Sequence, residues 1–139
     1  SLMSHVHKQP LAVPRKAITL LGSTGSIGEN AIRLIQAHRD RFRIVALTAH
    51  NNVEKLIEQA IALQPAMVVI GKEEHYLRLK EALAGLPIEV SCGADAIEDA
   101  ASRPTDLVLA GMVGAVGLKP VLRAVRFGYT VAIANKEPL

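Results

Sequence analysis

Apolar strand patterns and amphipathic helix patterns alternate along this chain from Ala17 to its end. Such alternation is typical of stacked βαβ units, in which parallel strands form one sheet and the helices between them cover its faces. The sequence therefore predicts an α/β fold, a Rossmann-like, doubly wound and mostly parallel sheet with helices on both faces. The predicted strands are residues 17–21, 43–48, 66–70, 88–90, 106–110 and 130–134.

Helix signals fill the intervals between these strands. Asn52 is placed to cap the second helix, residues 73–83 and 95–101 form the next two, and Pro120 and Gly128 bracket the last. A spacing of three or four residues marks the faces expected to be buried. These positions are Ile27, Ala31, Leu34 and Ile35 in the first helix and Leu56, Ile57, Ala60 and Ile61 in the second.

Residues 1–16 differ in composition from the rest and are predicted to be a flexible basic leader before one domain of residues 17–139. The leader contains Lys8, Arg15 and Lys16 and no acidic residue, which accounts for the formal net charge of +3. His5 and His7 lie in it, and a disordered tail is a simpler interpretation of them than a metal site. Since the last predicted strand ends close to Leu139, we expect an N-terminal piece of a longer enzyme.

The composition of the domain excludes several classes of partner. Its charge is balanced and the chain has two Phe, two Tyr and no Trp, so we expect no nucleic-acid partner. No apolar run is long enough to span a bilayer, so we expect no membrane partner. Cys92 is the only cysteine, which suits a reducing cytoplasm. It is either a catalytic thiol or, as the absence of a neighbouring histidine favours, a small buried hydrophobic residue.

Three glycines punctuate the turn between the first strand and the first helix, in the order Gly-Ser-Thr-Gly-Ser-Ile-Gly over residues 22–28. In doubly wound folds such a turn binds a nucleotide diphosphate. Gly22 would allow a tight turn, Gly25 would let the diphosphate approach bare backbone, and Gly28 would let the helix pack closely. The free N–H groups at the helix N-terminus would face the anion. An ordinary glycine turn is the alternative.

The end of the second strand indicates which dinucleotide would bind. NAD-binding sheets carry Asp or Glu there, whereas this chain has Thr48 to Asn52 without a carboxylate. The absence of a negative charge favours NADP, and His50, Asn51 and Asn52 offer donors to its additional phosphate. His50 would carry positive charge when protonated against that phosphate. In the alternative, the loop is merely polar and Asn52 only caps its helix.

Two further motifs complete a resemblance to a known family. Met112 to Leu118 reads Met-Val-Gly-Ala-Val-Gly-Leu, and Ala134 to Glu137 reads Ala-Asn-Lys-Glu. With the glycine turn they make residues 17–139 resemble 1-deoxy-D-xylulose 5-phosphate reductoisomerase. That resemblance implies an enzyme that uses NADPH to rearrange and reduce 1-deoxy-D-xylulose 5-phosphate, a small-molecule substrate, to 2-C-methyl-D-erythritol 4-phosphate in non-mevalonate isoprenoid synthesis.

The resemblance also implies roles for single residues. Thr24, Gly25, Ser26 and Ile27 would contact the diphosphate, with Gly22 and Gly28 shaping the turn, and Asn52 would contact the adenosine end. Asn135 and Glu137 would lie beside the nicotinamide, and Lys136 would bind the substrate. No catalytic residue and no metal ligand is expected within the chain, because the carboxylates that hold magnesium or manganese in this family lie further along. The whole enzyme would be a homodimer.

The chain departs from the family pattern at two places. Some members have Gly-Lys-Asn where this chain has residues 50–52, and most have Ser-Leu where it has Pro138 and Leu139.

Two other functions are alternatives to this resemblance. One is another Rossmann reductase such as a semialdehyde dehydrogenase, which would need Cys92 near the cofactor. The other is a dinucleotide-sensing module without catalysis. Neither accounts for the motif at residues 134–137.

Overall fold

The computed structural model describes residues 14–111 and 117–133. In that part of the chain the strands are β1 (Lys16–Leu21), β2 (Phe42–Ala49), β3 (Met67–Ile70), β4 (Glu89–Cys92), β5 (Leu107–Ala110) and β6 (Thr130–Ile133). The helices are α1 (Ser26–Ala37), α2 (Val53–Leu63), α3 (Tyr76–Ala82), α4 (Ala94–Ser102) and α5 (Leu118–Arg126), and a short 3-10 turn (Glu73–His75) precedes α3. The predicted order of strands and helices is confirmed.

All six strands pair in parallel, in the order β4-β3-β2-β1-β5-β6. The chain builds outward from β1 to β4 and then returns to add β5 on the other side of β1. The predicted doubly wound fold is therefore confirmed, and the point at which the strand order reverses lies between β1 and β5. In open α/β sheets this point leaves a crevice beyond the carboxyl ends of the strands.

Apolar side chains fill both faces of the sheet. Ile18 and Leu20 of β1 point into a large cluster with α1, α2 and α3, whereas Ala17 and Leu21 face the side covered by α4 and α5. Because β1 has neighbours on both edges and helices over both faces, residues 17–21 are all buried. The small side chains of Ala100, Ala101 and Ala124 pack on the second face.

Two predicted core positions are wrong. Leu34 is 66 % exposed and Ile61 is 51 % exposed. Each is next to a buried residue in the sequence. Because the side chains of successive helical residues differ in direction by about 100°, each points away from the core. The predicted Ile35 is buried, and Gly28 and Ile32 complete the buried face of α1. In α2 the buried positions that sequence analysis missed are Val53, Leu63 and, unexpectedly for a polar residue, Gln59.

No helix in the described ranges is long and apolar enough to cross a membrane.

The hydroxyl of Thr19 in β1 is buried and has no hydrogen-bond partner among the described residues. A buried polar group without a partner costs about 1–3 kcal/mol. We therefore expect Thr19→Val, which keeps the shape of the side chain, to raise the free energy of unfolding by about 1 kcal/mol in urea titration. Thr48→Val is the matched control, because the Thr48 hydroxyl accepts a hydrogen bond from the Gly22 N–H at 3.1 Å. It should lower stability by about 0.5–1 kcal/mol; equal effects of the two variants would contradict this account.

Candidate functional site

The glycine turn after β1 is attached to the end of β2. The Gly22 N–H donates to the Thr48 carbonyl at 3.0 Å and the Ser23 N–H donates to the same oxygen at 2.8 Å. Gly22 has a φ of 77°, a left-handed conformation that favours glycine. The tight turn predicted at Gly22 is present, and these two hydrogen bonds attach its first residues to the end of the neighbouring strand.

Gly25 and Gly28 are required for different reasons. Gly25 precedes α1 with φ −75° and ψ 173°, which any residue can adopt, and a Cβ built there would meet no atom within 4 Å. A Cβ on Gly28 would lie 2.3 Å from the Gly22 carbonyl oxygen and 2.6 Å from the Ser23 carbonyl carbon. Gly28 thus allows α1 to pack on the turn, whereas the missing side chain of Gly25 leaves open space in front of the helix.

That space belongs to a cleft of about 590 Å³ at the carboxyl edge of the sheet. The residue directly after each of four strands reaches it: Gly22 after β1, His50 after β2, Gly71 after β3 and Gly111 after β5. The cleft therefore lies at the reversal point of the strand order, where β1 and β5 are neighbours. Its described lining residues are Gly22, Thr24, Gly25, Ser26, Ile27, Gly28, Thr48, Ala49, His50, Asn51, Gly71, Ala94, Ile97, Glu98, Gly111, Gly117, Leu118, Lys119 and Pro120.

The N-terminus of α1 supplies the cleft with hydrogen-bond donors. The N–H groups in the first turn of a helix have no partners within the helix, and Gly25 has no side chain to cap them. Glu98 and Lys119 add one charge of each sign to the described lining. Donors and the positive end of the helix dipole favour an anionic ligand at this end of the cleft.

The residues of the loop after β2 do not all face the cleft. His50 and Asn51 line the cleft, but Asn52 does not. The Asn52 Oδ1 accepts a hydrogen bond from the Lys55 N–H at 3.2 Å, so its side chain caps α2. His50 lies against Gly71, where a Cβ would come within 2.9 Å of the His50 Nδ1 atom. The structure therefore shows that Asn52 caps α2, and its contact with the adenosine end of a dinucleotide stays a prediction.

Several lining residues were missed by sequence analysis. Gly71 and Gly111 follow predicted strands directly, so the rule that ligands bind at the carboxyl edge could have found them. A Cβ on Gly111 would lie 2.9 Å from the Gly22 carbonyl oxygen, which explains the glycine. Ile97, Glu98 and Lys119 carry no comparable signal, because their place at the cleft depends on the strand order.

The remaining candidates divide between the described and undescribed parts of the chain. Asn135, Lys136 and Glu137, and residues 112–116 of the second motif, lie outside the described residues. Cys92 at the end of β4 is half-buried against the core and does not line the cleft. The described ranges hold no group of three or more His, Cys, Asp and Glu side chains that could bind a metal.

A glycine turn and a bare helix N-terminus at the reversal point of a doubly wound sheet define this chain as a Rossmann-type nucleotide-binding domain. The family model for 1-deoxy-D-xylulose 5-phosphate reductoisomerase matches residues 18–139. The chain belongs to that family.

Relatives and solved structures agree with the family match. The reductoisomerase of Phocaeicola vulgatus is 51% identical over 126 residues, covering 90% of this chain and 33% of the relative. That of Rhodospirillum centenum is 50% identical over 124 residues, covering 89% and 31%. The reductoisomerase of Zymomonas mobilis in complex with NADPH superposes with a TM-score of 0.84 at 43% identity, covering 88% and 32%. The chain thus spans about a third of the length of the relatives it matches.

Proposed function

We propose that this chain is the NADPH-binding domain of a 1-deoxy-D-xylulose 5-phosphate reductoisomerase. The observation that carries the proposal is the open space at Gly25, in front of the uncapped N-terminus of α1. A diphosphate bound there would accept hydrogen bonds from backbone N–H groups and lie at the positive end of the helix. The similar structure from Zymomonas mobilis is a complex with NADPH, which supports the same ligand here.

Within this proposal the lining residues divide by the part of NADPH that they meet. Thr24, Gly25, Ser26 and Ile27 would bind the diphosphate. His50 and Asn51 would contact the adenosine ribose and its 2′-phosphate. On the family resemblance Asn52, which caps α2, would also contact the adenosine end. On the family resemblance, Asn135 and Glu137 would lie beside the nicotinamide. NADPH, when bound, supplies the hydride that reduces the substrate.

We further propose the activity of the whole protein from its family. It would convert 1-deoxy-D-xylulose 5-phosphate to 2-C-methyl-D-erythritol 4-phosphate, with Lys136 binding the substrate. Magnesium or manganese would be held by carboxylates that follow the present residues. One solved relative is a complex with magnesium and another holds NADPH, fosmidomycin and magnesium. We also propose that the whole protein is a homodimer in the cytoplasm. Residues 1–16 would be a flexible leader to the domain.

The two rival functions are not favoured. A semialdehyde dehydrogenase would need a thiol at the cofactor, and Cys92 does not line the cleft. A sensing module without catalysis would not require the family motif at residues 134–137.

NADPH should bind this chain at least about tenfold more tightly than NADH, a difference of roughly 1.4 kcal/mol. The reason is that the loop after β2 carries His50 and Asn51 and no carboxylate. Calorimetric titration of both nucleotides at low salt measures the ratio. His50→Ala should reduce it, whereas His38→Ala, at the opposite end of α1, should not. Equal affinities for NADPH and NADH in the unmodified chain would contradict the assignment of this loop.

A further inference from the structure

The interior of this domain contains few polar side chains, and most of them hold the glycine turn. The buried polar residues in the described ranges are Thr19, Ser23, Thr48 and Gln59. Thr48 accepts from the Gly22 N–H through its hydroxyl and from the Ser23 N–H through its carbonyl. Ser23 and Gln59 contact each other directly. Three of the four therefore form hydrogen bonds within or to the glycine turn, which indicates that this turn must be held in one position.

Gln59 contacts Ser23 through both ends of its amide. The Ser23 hydroxyl donates to the Gln59 Oε1 at 2.7 Å, and the Gln59 Nε2 donates to the Ser23 carbonyl oxygen at 2.9 Å. Gln59 is 7 % exposed and Ser23 is fully buried. Two reciprocal bonds in a poorly solvated place fix the distance and the orientation of the partners more closely than an apolar contact of equal size.

The amide of Gln59 connects the two loops that enter the cleft. Gln59 lies in α2, which begins directly after the loop of His50 and Asn51, while Ser23 lies between Gly22 and Thr24 of the glycine turn. One helical turn before Gln59, Lys55 pairs with Glu29 of α1. The hydrogen bond and charge of Lys55 lower the pKa of the Glu29 carboxyl, and those of Glu29 raise the pKa of Lys55.

We propose that Gln59 is a positioning residue for the dinucleotide, which holds the glycine turn at a fixed distance from the loop after β2. This inference rests on the proposed function. Gln59 does not line the cleft, so it acts through Ser23. Its loss would misplace the backbone donors that receive the diphosphate and leave the residues for the adenosine end unchanged.

The test is Gln59→Met in the 139-residue chain, with Gln36→Met, an exposed glutamine of α1, as the matched control. Titration with NADP⁺ should show affinity reduced about tenfold in Gln59→Met and unchanged in Gln36→Met. Adenosine 2′-monophosphate, which lacks the diphosphate, should bind Gln59→Met within about twofold of the unmodified chain. Unchanged NADP⁺ affinity would overturn the proposal, and an equal loss for both ligands would reduce Gln59 to a general structural role.

The Gln59→Glu variant tests the donor separately. A protonated carboxyl can accept from the Ser23 hydroxyl and donate to the Ser23 carbonyl, as the amide does, whereas a carboxylate can only accept. Its NADP⁺ affinity relative to the unmodified chain should therefore rise as the pH falls from about 8 to about 6, since burial raises the pKa of a carboxyl. Gln59 lies in a groove between α1 and α2, whose charged residues are Glu29, Arg33, Lys55 and Glu58. The unmodified chain, measured at each pH, controls for their titration.

The outcomes separate this inference from the function on which it rests. If the unmodified chain fails to bind NADP⁺, the proposed function fails. If the unmodified chain binds NADP⁺ but the affinity of Gln59→Glu relative to it does not change with pH, the positioning role fails. Should Gln59→Met not fold, Ser23→Ala removes only the hydroxyl bond and should weaken NADP⁺ about threefold without affecting adenosine 2′-monophosphate; no change would overturn the proposal.

Discussion

No turnover of 1-deoxy-D-xylulose 5-phosphate is expected from the 139-residue chain alone, with NADPH and magnesium or manganese present. The same residues should restore NADPH-dependent turnover when residues 17–139 replace the matching third of the Phocaeicola vulgatus relative. The described residues hold no cluster that could bind the metal. Effective molarities of well-oriented groups reach about 10⁵ M or more, so losing the metal site should remove many orders of magnitude from the rate. The measurement is the loss of NADPH absorbance.

The graft also tests Lys136. Lys136→Ala in the graft should reduce kcat/KM about 100-fold, since a charge-assisted contact to the substrate contributes about 1.5–3 kcal/mol. Lys80→Ala is the control, because Lys80 is an exposed residue of α3 that lies near Tyr76 and does not line the cleft. Metal-dependent turnover by the isolated chain would show that the catalytic centre lies within these 139 residues, contrary to the proposal. Unchanged kinetics of Lys136→Ala would remove its substrate-binding role.

Gly25→Val should abolish detectable NADPH binding and leave the fold intact. Gly25 has an extended backbone and a Cβ there meets no protein atom within 4 Å. The substitution therefore introduces no backbone strain, and its side chain enters the space that the diphosphate would fill. An affinity loss of at least about 100-fold, or 2.7 kcal/mol, is expected by calorimetry. Circular dichroism and the thermal transition should match those of the unmodified chain.

Gly28→Ala provides the contrasting variant. Its new methyl group would lie 2.3 Å from the Gly22 carbonyl oxygen, and overpacking of this kind costs about 1–3 kcal/mol or more. This variant should therefore lose thermal stability, whereas Gly25→Val loses binding. Near-normal NADPH affinity in folded Gly25→Val would remove the diphosphate from this turn.

The fold could be predicted from the sequence because the strand and helix periods differ and the glycine turn marks their junction. Every predicted strand is present within about two residues, and the parallel pairing follows from the helical connections. The wrong positions, Leu34 and Ile61, are apolar residues at the border of a buried face. Hydrophobicity alone does not define which side of such a border faces the core.

The cleft was predictable only in part. Residues 22–28 and the loop after β2 carry local signals, and the structure brings Gly22, Gly25 and His50 to one cleft. Gln59 gives no such signal, since an amide in an amphipathic helix is usually exposed. Its buried bond to Ser23 spans 36 residues and depends on the packing of α2 against the turn. Contacts of this kind follow from tertiary structure, which a local pattern does not specify.

Amide chemical shifts of the isotope-labelled chain during titration with NADPH test the central claim most directly. We expect saturable changes concentrated at Thr24, Gly25, Ser26 and Ile27, where the diphosphate would meet the N-terminus of α1, with a second group at His50 and Asn51. NADH should perturb the turn in the same way and the second group less. Saturable changes confined to the groove between α1 and α2 that Gln59 lines, or no saturable change at all, would contradict the assignment of the cleft to the dinucleotide.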